Sequence, residues 1–179
     1  MAARARARAA IVSPTPSPRS TFGRHRAPAV SLDVSLPSLS DEDEIPARYT
    51  CNGGDEILSV RWTNIPSRTQ QLALFIINFK PTRNKLFFDW AITGLNPRST
   101  GITPSTITPG VSVGRNSFGR VGYSICPPPG THEHFVVRLV ALSHSLSAIP
   151  GTAAASLYAE AERHTAALGI TGGNYERPQ

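Results

Sequence analysis

Turn-forming residues govern what this chain can become: 14 glycines and 16 prolines are scattered through 179 residues. The longest uninterrupted apolar run, residues 72–77, is only six residues long. So much punctuation excludes a long-helix bundle or a coiled coil. A run of six is far short of the roughly 20 apolar residues a membrane-spanning helix needs. Charged residues make up 17% and apolar residues 40% of the chain, the balance of a globular domain. The length suits one domain with a tail.

The formal net charge of +6 is concentrated in one place. Residues 1–30 carry six arginines (Arg4, Arg6, Arg8, Arg19, Arg24, Arg26) and no acid, so residues 31–179 are balanced. Basicity therefore predicts no nucleic-acid-binding face on the domain. The first 30 residues hold an Ala/Arg stretch and then SPTPSP, with little to bury. They are expected to be a disordered extension, followed by a domain over residues 31–178. An organellar transit peptide and an unselected basic extension both fit this composition, whereas a secretory signal lacks its apolar stretch.

Within the domain, residues 30–36 (VSLDVSL) alternate as a half-buried strand does. Residues 60–62 read as a short strand ended by Ile65-Pro66. Residues 72–77 (LALFII) are a continuous apolar run of strand length, expected to be buried on both faces, and residues 86–92 (LFFDWAI), with Asp89 inside, and 135–142 (FVVRLVAL), with Arg138 inside, are expected to be two further buried strands. Trp62, Phe75, Ile77, Trp90, Val137 and Leu139 are the expected core. The acidic run at 41–44 reads as a solvated loop. One helix is predicted after Pro150-Gly151, with Thr152 as its N-cap, Leu157, Ala161, His164 and Leu168 on one face, and Gly169 as its stop. The fold class is mainly β: a mostly antiparallel two-sheet sandwich with a small C-terminal helix.

Nucleotide-binding glycine loops, the Gly-x-Ser-x-Gly elbow and His-Glu-x-x-His are all missing, so no cofactor or metal is expected. Cys51 and Cys126 have no zinc-ligand spacing. Two cysteines in such a chain fit buried thiols in a reducing, cytoplasmic setting, and a disulfide between them is left open by the sequence.

The most informative stretch is GRNSFGRVGY (residues 114–123) followed by CPPPGTH (residues 126–132). Glycines and prolines make it a shaped loop, arginines and a tyrosine supply donors, and it delivers His132 to the start of a strand. This stretch resembles the phosphatidylethanolamine-binding protein family, above all its bacterial Raf kinase inhibitor-like branch. That branch carries a run close to GRNDFGRAGY and then Cys-Pro-Pro-x-Gly-x-His. IPARYTCNG (residues 45–53) is similar to the branch's IPARYTCDG, and Tyr175-Glu176-Arg177-Pro178 closes the likeness. The resemblance implies a two-sheet β fold with a small pocket for phosphate-like or carboxylate anions, and a binding or regulatory role, not an enzymatic one.

The likeness breaks at the pocket. Asn78 stands where the family has its first pocket Asp, Lys80 near the second, and Asp89 where it has a His before the Trp. Glu133 and His134 follow His132 in place of Arg and Tyr, and Ser117 replaces an Asp. The candidate ligand-binding residues are His132, Asp89, Asn78, Lys80, Arg115 and Tyr123. Alternation along the strand places Phe87, Asp89 and Ala91 on one face. The expected function is a diverged small-anion (phosphate or phospholipid head group-like) binding protein, with a homodimer possible. Two alternatives are a hydrolase using His132 and Asp89 as base and orienter, and a scaffold with a non-functional pocket.

Overall fold

A computed structural model describes residues 31–39, 44–78, 85–105, 107 and 110–179. The basic extension, most of the acidic run and Lys80 lie outside the described residues. In chain order the elements are β1 (Asp33–Ser35), a 3-10 turn (Ala47–Tyr49), β2 (Val60–Thr63), β3 (Gln71–Asn78), β4 (Phe87–Leu95), β5 (Gly101–Ile102), β6 (Ser112–Val113), β7 (His132–Leu142), α1 (Ala154–Arg163) and β8 (Thr165–Glu176). They build two antiparallel sheets, a small one in the order β1-β2-β5 and a large one in the order β6-β4-β3-β7-β8.

The apolar runs explain this layering. Even-numbered residues of β3 (Leu72, Leu74, Ile76) face the small sheet and pack with Trp62, Val60, Trp90, Val137 and Leu139. Odd-numbered residues (Ala73, Phe75, Ile77) face the other way, onto Ala154, Leu157 and Ala161 of α1. A strand with a sheet on one side and a helix on the other has no solvent face, which is why its sequence does not alternate. All six expected core residues are buried.

The helix differs from its predicted bounds. Thr152 does not cap it; its hydroxyl donates to Ile149 O, and Ala153 occupies the N-cap without a side-chain bond. The helix stops at Arg163, with His164 as C-cap. Thr165, Leu168 and Gly169 belong to a strand, β8, that pairs along the length of β7. Gly169 is no helix stop. A Cβ there would lie 2.3 Å from Val34 Cγ2 and 2.9 Å from Leu32 O, so glycine admits the N-terminal strand against β8. Ser31 bridges Leu168, and Leu32 N–H donates to Leu168 O at this crossing.

Candidate ligand pocket

A cavity of about 240 Å³ opens where β3 ends and β4 and β7 begin. Its lining comprises Asn78, Lys85, Phe87, Ser117, Phe118, Cys126, Pro127, Pro128 and Glu133. The strands supply the floor, and the loop between β6 and β7 supplies the walls.

That loop is held in shape by its own sequence. Asn116 is buried, its Oδ1 accepts the N–H groups of Phe118 and Arg120, and its Nδ2 donates to Gly122 O. The segment 45–53 then pins the loop from the other side. Tyr123 donates its hydroxyl to Tyr49 O at 2.6 Å, and Cys51 N–H donates to Ile125 O. Burial first, then the nearby Asp55 and Asp89 carboxylates, raises the Tyr123 phenol far above its ordinary range, so it remains a protonated donor. Cys51 and Cys126 form a disulfide, with Cα atoms 5.2 Å apart. The buried-thiol expectation is corrected: the two motifs converge in space although 75 residues separate the cysteines. Arg177, beyond β8, donates to Cys126 Sγ and to Pro127 O, tying the wall to the C-terminal segment.

On the floor, Asn78 Nδ2 donates to Glu133 Oε2, and Thr131 Oγ1 donates to Glu133 Oε1. Both Asn78 and Glu133 are buried, and Asn78 Oδ1 has no hydrogen-bond partner. Above them Phe87 and Phe118 stand edge to face, ring centroids 4.8 Å apart.

Among the nominated residues that are described, Asn78 alone lines this cavity. His132 is exposed at the start of β7, whereas Glu133 shares the inward face of Phe135 and Val137. Successive side chains point to opposite faces, so His132 and Glu133 cannot both enter the pocket. Asp89 is buried on β4, but the register slips there: Ile76 pairs with Trp90 and Ile77 with Phe88. Asp89 is thus the extra residue of a β-bulge. The simple alternation expected for residues 87–91 is corrected accordingly: Phe88 and Ala91 share the helix-side core, while Trp90 and Ile92 enter the inter-sheet core. Strand β3 lies between β4 and β7, and the exposed His132 does not meet the buried Asp89. Arg115 lines an adjoining depression that shares Lys85, Phe87 and Ser117 with the cavity and ends on the first residues of α1. Tyr123 packs edge-on against Trp90. Among the described residues, no three His, Cys, Asp or Glu side chains converge as a metal site requires. None of the helices there is long and apolar enough to cross a membrane.

Glu133, Phe87 and Phe118 escaped nomination. The signal for Glu133 was present, since alternation back from Phe135 places it on the inward face.

The two antiparallel sheets with one flanking helix define a mainly β fold with a loop-walled cavity at one end. The family model for phosphatidylethanolamine-binding protein matches residues 35–176, and the chain belongs to that family. It is 30% identical over 152 residues to a UPF0098 protein of Methanothermobacter thermautotrophicus, covering 82% of this chain and 99% of that one. A UPF0098 protein of Pyrococcus abyssi is 32% identical over 157 residues, covering 80% and 85%. The crystal structure of Escherichia coli YbcL superposes with a TM-score of 0.74 at 18% identity, covering 82% of this chain and 99% of that one; this likeness concerns the fold.

Proposed function

We propose that this chain is a small-ligand-binding module whose site is the cavity between Asn78, Phe87, Phe118 and Glu133. The observation that carries this reading is the buried Asn78–Glu133 pair beneath an aromatic and proline wall. Polar groups are costly to bury, and a few convergent ones in an apolar pocket are the usual furniture of a binding site. Binding is favoured over hydrolysis because His132 and Asp89 occupy different faces and strands. The anion pocket implied by resemblance is poorly served here. The floor presents a carboxylate and an amide oxygen, which accept hydrogen bonds and so offer a bare phosphate's oxygens no donor.

The test is a chemical-shift screen of the whole chain with a library of small polar and charged compounds. Hits should move the amides of residues 78, 87, 118 and 133, and Phe118→Ala should weaken them. Hits that cluster on the Arg115 depression would move the site elsewhere.

We further propose that the chain works in an oxidising compartment, although its cysteine count alone pointed to the cytoplasm. The Cys51–Cys126 bond supports this. Alkylation of freshly lysed cells followed by mass measurement checks it: protein carrying two alkyl groups without prior reduction would count against it.

A further inference from the structure

We propose that the Cys51–Cys126 disulfide is a site of exchange with a small external thiol, and that Arg177 directs the attack to Cys51. The proposal goes beyond the ligand reading and stands whether or not the cavity is occupied. Both cysteines are half-buried, so the bond is not sealed in the core. Their settings differ. Cys51 opens a run of exposed residues, Asn52, Gly53 and Gly54, whereas Cys126 stands between the buried Ile125 and Pro127. A thiol arriving from solvent has the more open approach at Cys51.

The leaving group points the same way. Exchange is faster when the departing sulfur is the better stabilised thiolate. Arg177 Nη1 donates to Cys126 Sγ at 3.3 Å and to Pro127 O at 2.7 Å. Its backbone is pinned as well: its N–H donates to Thr131 O, and its carbonyl accepts from Gly130 N–H. Among the described residues no carboxylate pairs with Arg177, and its Nε is buried with no hydrogen-bond partner. Nothing it touches balances its charge. A thiolate at Cys126 would do so, accepting a charge-assisted bond from a donor already in place. Cys51 Sγ has Asn52 Oδ1, 3.8 Å away, as its polar neighbour and no cation beside it.

The exchange balances as follows. The thiolate of the external thiol attacks Cys51 Sγ and forms a new S–S bond there. The Cys51–Cys126 bond breaks, and its electron pair leaves on Cys126 Sγ as a thiolate beside Arg177. Cys51 then carries a mixed disulfide. A second external thiol attacks the external sulfur of that adduct and releases Cys51, so two external thiols become one disulfide and the protein disulfide becomes two thiols. The two segments stay together meanwhile, because Tyr123 still donates to Tyr49 O and Cys51 N–H to Ile125 O. Reclosure is the same exchange in reverse. Cys126 lines the cavity and Cys51 does not, so the adduct forms outside the cavity and the new thiolate on its wall.

The probe is 2-mercaptoethanol, a thiol with no charged group to steer it. The oxidised full chain is mixed with it, released thiols are trapped at short times with N-ethylmaleimide, and peptide masses show which cysteine carries which group. Mercaptoethanol on Cys51 with maleimide on Cys126 should exceed the reverse by about tenfold, the worth of one hydrogen bond to a charged group. Arg177→Gln keeps a donor without the charge. It should lower that ratio several-fold and slow the opening, whereas loss of a purely structural tie would speed opening at both sulfurs. The ratio measured on the unmodified chain stands even if the variant folds poorly. Adducts shared equally or found chiefly on Cys126, a folded Arg177→Gln variant with an unchanged ratio, or a chain that reacts only after unfolding in urea overturns the proposal.

Discussion

Asn78 and Glu133, 55 residues apart in the chain, are joined across the β3–β7 ladder by a side-chain hydrogen bond within the buried floor of the cavity. Asn78 pairs with Phe135 in the register, so Glu133 is its diagonal neighbour on the same face. Removing the donor takes one hydrogen bond from the buried carboxylate. Asn78→Ala is expected to lower stability by about 1–3 kcal/mol, whereas Glu133→Gln, still able to accept, should cost less. Urea unfolding of both variants checks this; the reverse order would mean that the pair does not govern the floor.

The disulfide closes a loop of 75 residues. Chain entropy assigns such a crosslink about 4 kcal/mol. Replacing both cysteines by serine should lower the denaturant midpoint accordingly. It should also weaken any ligand held in the cavity, because Cys126 is part of the wall. Unchanged stability would show that the other clamps on the loop suffice.

Trp90 is buried in the inter-sheet core beside Tyr123. Trp90→Ala should cost about 3–5 kcal/mol, the range for a fully buried large aromatic. A near-neutral result would contradict the placement of β4.

Tyr123 sets an alkaline limit. Its phenol keeps its proton in the native state, through burial first and the neighbouring Asp55 and Asp89 second, when the unfolded chain has released its own. The native state then binds more protons, so this contribution is fully present below about pH 10 and is lost as pH rises beyond it. Tyr123→Phe should flatten the alkaline fall in thermal midpoint. It should also lower the plateau by about 1 kcal/mol through loss of the bond to Tyr49 O. A variant with the same alkaline slope would assign that slope to other groups.

Gly169 is expected to tolerate no side chain. A methyl group there would strike Val34 and Leu32, so Gly169→Ala should destabilise by about 1–3 kcal/mol. The loss should appear first as faster amide exchange around Leu32. A neutral substitution would show that the N-terminal strand yields easily.

β3 was legible because a strand covered on both faces is apolar nearly throughout, and β4 and β7 because apolar residues dominate them around Asp89 and Arg138. β8 was hidden for the opposite reason. Its residues are small where neighbours press close: Gly169 meets Leu32 and Val34, and Gly172 sits 2.6 Å from Phe135 O when a Cβ is added. A strand built for close approach lacks the β-branched signature, so the preceding helical spacing seemed to run on through it. At the pocket, Asn78 was reachable by its place after a buried strand. Asp89 was misplaced because a bulge leaves no mark in an apolar run. His132, nominated on resemblance, lies on the outward face, while Glu133 beside it holds the inward position.

β8, the last strand of the chain, pairs with β7 from His132 through Leu142. During synthesis β7 therefore leaves the ribosome well before its partner, and for that interval its edge is unpaired, with Phe135, Val137, Leu139 and Val140 along it. Such an edge invites pairing with a neighbouring chain. A chain broken off within β8 would thus yield aggregate. Selection on the codons of β8 would track freedom from aggregation as much as whatever the cavity does.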